Sequence, residues 1–147
     1  MIAQAPGETR VTPIGGPTDE TPLAPITALS ASLSDARWRQ LTGLEQNWDG
    51  YCARPIDGRA IAAAARLVGV LSSSGFPQPE IFPVADGGVQ LEWCIGTMEL
   101  EIEIEPGAAS GVFVGDDAAT GRHFDGEFPR DPALWRQALA ALASNLG

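Results

Sequence analysis

Met98-Glu99-Leu100-Glu101-Ile102-Glu103-Ile104-Glu105 alternates apolar and acidic residues at every step. Side chains of an extended strand point to opposite faces in turn, so this spacing predicts a β-strand with one apolar face and one carboxylate face. Upstream, Val89, Leu91 and Trp93 alternate with Gln90, Glu92 and Cys94, and only Ile95-Gly96-Thr97 separates the two runs. An antiparallel hairpin is the expected pairing, and it puts Glu92 on the same face as Glu99, Glu101 and Glu103. A short strand is expected over Ile81 to Val84, before the Asp86-Gly87-Gly88 turn. Pro106-Gly107 ends the acidic strand. Further strands are expected around Gly111 to Gly115, carrying Val112 and Val114, and over Arg122 to Phe128.

The flanks have helical spacing. From Ser34, an N-cap residue type, to Gln46, Trp38, Leu41 and Leu44 are followed by Trp48 at steps of three, three and four. Asn47-Trp48-Asp49-Gly50-Tyr51 is rich in turn formers, and Pro55 holds Arg54 extended. A second helix is expected after Ile56 or Asp57, with Ile61, Ala64, Leu67, Val68 and Leu71 on one face, ending at Ser72-Ser73-Ser74-Gly75. A last helix is expected with Asp131 as its cap, Pro132 in its first turn, and Leu134, Trp135, Leu139 and Leu142 facing inward. Two N-terminal helices, a four- or five-stranded antiparallel meander and a C-terminal helix define an α+β, two-layer domain rather than a doubly wound parallel sheet. Residues 1–28 hold five prolines and no periodicity, and read as a flexible arm ahead of a single domain at 29–147.

Charge narrows the function classes. The 147 residues carry 19 acids against 9 cations, a net charge of −10, and every cation is arginine. Without lysine, neither a Schiff-base enzyme nor a lysine-dependent phosphate loop is available. The acidic balance argues against direct nucleic-acid binding, and no apolar run is long enough for a membrane span. Between Glu80 and Asp131 stand twelve acids and two arginines, while the rest of the chain balances seven acids with seven arginines, so the sheet region holds the whole excess. Cys52 and Cys94 show neither metal-ligand spacing nor a disulfide framework, and read as buried thiols. With no secretory signal at the start, the expected location is cytoplasmic. No cofactor or metal is indicated: Asp116-Asp117 lacks a calcium-loop pattern, and alternate glutamates on any strand lie about 6.5–7 Å apart, so that spacing does not single out a glycosidase.

Candidate site residues fall in two groups. Glu92, Glu99, Glu101 and Glu103 form a carboxylate row that reads either as a solvated face or as an interface for a basic partner. Trp48, Asp49 and Tyr51 read either as a helix connection or as a protein-binding loop. His123, with Asp125 two residues on, has the spacing of a general-base dyad but no accompanying nucleophile motif.

Asn47-Trp48-Asp49-Gly50-Tyr51 with Ala53, Pro55 and Ile56, and Gly87-Gly88-Val89-Gln90-Leu91-Glu92-Trp93 with the following Leu100 to Ile104 strand, resemble a group of small uncharacterised bacterial proteins. That group shares an NWDGYGA-type turn and a GGVQLEW-type strand. The likeness covers residues 38–105 and departs at Cys52, where the group carries glycine. It implies a small partner or regulator and assigns no catalytic residue. The sequence thus points to a non-enzymatic acidic protein-binding module: an inhibitor, antitoxin-like protein or accessory subunit of a bacterial or phage system, with homo-oligomerisation left open. A small hydrolase or transferase using Asp49, Glu92 or His123, and a structural subunit of a larger assembly, are the alternatives.

Overall fold

In the computed structural model the described residues are 35–107 and 110–147, so the N-terminal arm and the Ser34 cap lie outside them. Five strands form one antiparallel meander in the order β1 to β5: β1 Glu80–Pro83, β2 Val89–Ile95, β3 Met98–Ile104, β4 Gly111–Asp117 and β5 Arg122–Phe128. Helix α1 covers 35–42, α2 Gly58–Ser73 and α3 Pro132–Ala143. The result is the expected α+β fold, and Ala36–Gly147 forms one compact unit.

Strand alternation makes the core. Val89, Leu91 and Trp93 of β2 meet Ile104, Ile102 and Leu100 of β3 in register, and all six are buried. Helix α2 rests on β2 and β3 through Ala60, Ala64, Val68 and Leu71, while α3 crosses β3, β4 and β5. Close approach there depends on a missing side chain: a Cβ on Gly126 would lie 2.8 Å from the Phe113 ring and 3.0 Å from Leu134. Trp135 then packs edge-on against Phe113 at 5.2 Å between ring centroids, an arrangement that adds to the burial of both rings.

Several local expectations are corrected. The first helix stops at 42 rather than at Gln46. The Gly43 amide splits between the Arg39 and Gln40 carbonyls, and Asn47 then takes φ 67°, which no helix continues through. Leu44 and Trp48 keep the helical spacing but reach the core from turns. The strand expected around Gly111 to Gly115 runs on to Asp117, with Val112 and Val114 half-buried on its outer side and Phe113 between them in the core. Asp131 occupies the N-cap position of α3, but its carboxylate accepts from the Glu127 amide at 2.9 Å and makes no side-chain cap bond. Asp57 does cap α2, accepting from the Arg59 amide at 3.0 Å, and its second oxygen also accepts from the Gly107 amide. Both cysteines are exposed rather than buried.

Candidate functional site

The outer face of the sheet is built by parity. Because β2 and β3 bury their apolar residues inward, Gln90, Glu92, Cys94 and Glu99, Glu101, Glu103 must point outward. Antiparallel register carries the same parity across the other strands: Glu80 opposes Glu92, Glu92 opposes Glu101, Glu99 opposes Asp116 and Val114 opposes Asp125. Glu127 joins them opposite Val112, so the five strands present eight carboxylates on one face and no arginine. The four predicted glutamates are therefore together. Glu80, Asp116, Asp125 and Glu127 complete the face, and their contribution became visible only with the register of the outer strands.

Five of these acids stand directly opposite another acid, in three cross-strand pairs, an arrangement that costs a few tenths to about 1 kcal/mol per pair. Gln90 partly relieves it by donating from Nε2 to Glu92 at 2.5 Å and to Glu101 at 3.1 Å. The Glu103 carboxyl is held above the ordinary range, first by partial burial and then by the charges of Asp86, Glu101 and Glu105. Cys94 is pushed the same way, first by partial loss of hydration at the sheet surface and then by the charges of Glu99, Glu92 and Glu80, which keeps the thiol protonated and a poor nucleophile. A shallow depression of about 200 Å³ lies among Glu92, Cys94, Glu99, Glu101 and Asp116. Among the described residues no group of His, Cys, Asp and Glu is arranged to hold a metal ion.

Among the side chains that the five strands place on this face His123 is the one basic group, and the Arg37 guanidinium of α1 lies 6.0 Å from the centre of the Phe82 ring. The partner of His123 is not Asp125 on its own strand but Asp116 across the β4–β5 pair, with Nδ1 2.7 Å from Oδ1. That hydrogen bond raises the imidazole pKa, assisted by the charges of Asp116 and Asp125. Local spacing does not reveal this pairing, because it depends on the cross-strand register.

The Asn47 to Arg54 loop is braced from inside. Asp49 Oδ1 accepts from the amides of Tyr51 at 2.7 Å and Ala53 at 3.0 Å, and Asn47 Oδ1 accepts from the Cys52 amide at 2.7 Å. Trp48 Nε1 donates to the Arg54 carbonyl at 2.7 Å. These bonds hold Asn47 and Cys52 at φ 67° and 70°, a region non-glycine residues seldom occupy. Trp48 and Asp49 thus build the loop, while Tyr51, 87% exposed, is what it displays.

The loop packs at the β1–β2 turn, where the Arg54 amide donates to Ala85, whereas His123 lies level with the Ile95–Met98 end of the sheet. Glu92 and His123 are on strands three apart, about 14 Å at the usual spacing. Asp49, Glu92 and His123 are not brought into one site. Among the described residues no helix is long and apolar enough to cross a membrane. Fold and face together define a two-layer α+β protein with a carboxylate-covered sheet. Compared with known proteins, the chain matches no family model, no curated protein and no solved structure.

Proposed function

We propose that the protein is a non-enzymatic binding module that docks its carboxylate sheet face on a basic surface of a protein partner, as an inhibitor, antitoxin-like protein or accessory subunit would. The observation that supports this reading is the set of directly opposed acids, Glu80 with Glu92, Glu92 with Glu101 and Glu99 with Asp116, on strands that place no arginine among them. Solubility alone is served by interspersed charges of both signs, which would avoid that repulsion. A cationic partner neutralises it on contact, and the field of the free face speeds the encounter. An anionic surface of this kind also fits a partner site that otherwise receives nucleic acid. Tyr51 supplies an exposed aromatic contact on a rigid loop at one end of the sheet.

The test is an association-rate series against the partner captured by affinity purification. Wild-type rates should fall steeply with salt, and the triple variant Glu99→Gln, Glu101→Gln, Glu103→Gln should associate slowly at low salt and converge with wild type at high salt. Charges are screened beyond about 10 Å at 0.1 M salt. Equal rates for the two proteins across the series would overturn the proposal, provided their circular dichroism agrees.

A further inference from the structure

Helix α2 carries more apolar surface than the sheet uses. Its sheet-facing stripe is Ala60, Ala64, Val68 and Leu71, and beside it runs a second stripe of Ala63, Leu67 and Val70, again at steps of three and four. Both stripes come from one sequence, but only the first is fully buried: Ala63 and Leu67 are half-buried at the edge of the core, and Val70 remains 58% exposed. The second stripe forms one wall of a groove of about 340 Å³, and Phe128 and Trp135 line it opposite. The groove lies in the helix layer, on the side of the sheet away from the carboxylates.

Its electrostatics are the reverse of the sheet face. Arg66 follows Ala63 by three residues and stands in the groove lining; among the described residues no acid lines the groove, and none occurs in α2 or α3. A guanidinium is charged at every working pH and offers a planar pair of donors that matches a carboxylate. We propose that this groove binds a small amphipathic monocarboxylate, its apolar body between Leu67, Val70, Phe128 and Trp135 and its carboxylate on Arg66. Size favours a small ligand over a protein segment. The volume is at the lower end of the roughly 300–1,000 Å³ of small-molecule sites, and the lining falls far short of the roughly 20–30 residues a side of a standard protein interface.

The experiment uses the full chain, with octanoate as probe and octanol and octylammonium as controls, followed by the methyl resonances of Leu67 and Val70. Octanoate should shift both in a saturable manner and octylammonium should not. Arg66→Gln should weaken octanoate roughly fivefold, the scale of an exposed ion pair, and leave octanol unchanged. Val70→Asp should abolish both, and since Arg66 and Val70 are both exposed, the two variants leave the core intact. Octylammonium binding as tightly as octanoate, or no saturable shift, would overturn the assignment. So would the same methyls moving with protein concentration alone, because a second copy would then fill the groove. None of these outcomes depends on the carboxylate face, so the two proposals stand or fall separately.

Discussion

The two faces of the one sheet are made from the same strands and obey opposite rules. On the inner face each residue is fixed by its neighbours: Ile102 lies between Leu91 and Phe113 in register, and all three are fully buried. One position along, on the outer face, Glu101 stands between Glu92 and Val114 and is exposed. The fold depends on the first set and tolerates the second, although the second includes like charges placed face to face. A surface that is unfavourable in isolation and harmless to the fold is free to serve a partner.

The sharpest way to break that contrast is to truncate one residue on each face. Ile102→Ala should cost about 2–5 kcal/mol of stability, the lost transfer energy plus a cavity, whereas Glu101→Ala should fall within about 0.5 kcal/mol of wild type. Denaturant unfolding of the two variants checks this. Comparable losses would mean the outer face is structural.

Gly126→Ala probes the inner face by addition. The new methyl would meet the Phe113 ring at 2.8 Å, and the ring has Trp135 behind it, so the expected loss is about 1–3 kcal/mol from overpacking. A thermal melt that matched wild type would show that α3 can lift from the sheet at little cost.

How much of this was legible in the sequence follows the same division. The β2–β3 hairpin and the acidic face of β3 were readable because period-two alternation is local and unbroken from Met98 to Glu105. The end of α1 was not: Leu44 and Trp48 preserve a helical spacing after Gly43 and Asn47 have turned the backbone, so periodicity alone ran on. His123 was paired with the wrong aspartate because Asp125 is near in sequence and Asp116 is near only through the β4–β5 register. The outward turn of Val112 and Val114 has the same origin, since a strand with glycines at alternate positions gives its larger core residue, Phe113, no local signal. The groove beside α2 was hidden because an apolar helix arc does not say how much of itself the sheet will cover.

Asp117 is the exception to the division, a carboxylate on the inner face. It is buried and satisfied: Oδ1 accepts from Thr97 Oγ1 at 2.7 Å and the Ala119 amide at 3.1 Å, and Oδ2 accepts from Thr120 Oγ1 at 3.0 Å. These bonds, with the Thr97 hydroxyl foremost, hold its pKa below the ordinary value of 3.8. The group therefore contributes stability that is full above its unfolded pKa and is lost as pH falls through the folded one. Acid unfolding should show a weaker pH dependence below about pH 4 in Asp117→Asn than in wild type. An unchanged acid limb would remove this network from the account of the β4–β5 turn.

Glu103 gives the smallest effect and the opposite sign. Its folded pKa is raised, by partial burial first and by Asp86, Glu101 and Glu105 next, so the folded state binds its proton more tightly than the unfolded chain does. Stability must then decrease as pH rises from the unfolded value through the folded one, and above that window the ionised group is a net cost. Glu103→Gln removes the charge and keeps the shape, so it should raise stability at neutral pH by a few tenths of a kcal/mol and leave it unchanged in acid, where the wild-type group is already protonated. Paired urea titrations at neutral pH and below the ordinary glutamate range measure both limbs. A gain that persists in acid would assign the effect to packing beside Gln90 and Val112, and the outer face would then resemble the inner one at this position. A gain confined to neutral pH would locate a standing cost of ionisation on the outer face, set first by partial burial and then by the charges of Asp86, Glu101 and Glu105, and a cationic partner would offset the charge part of it on contact.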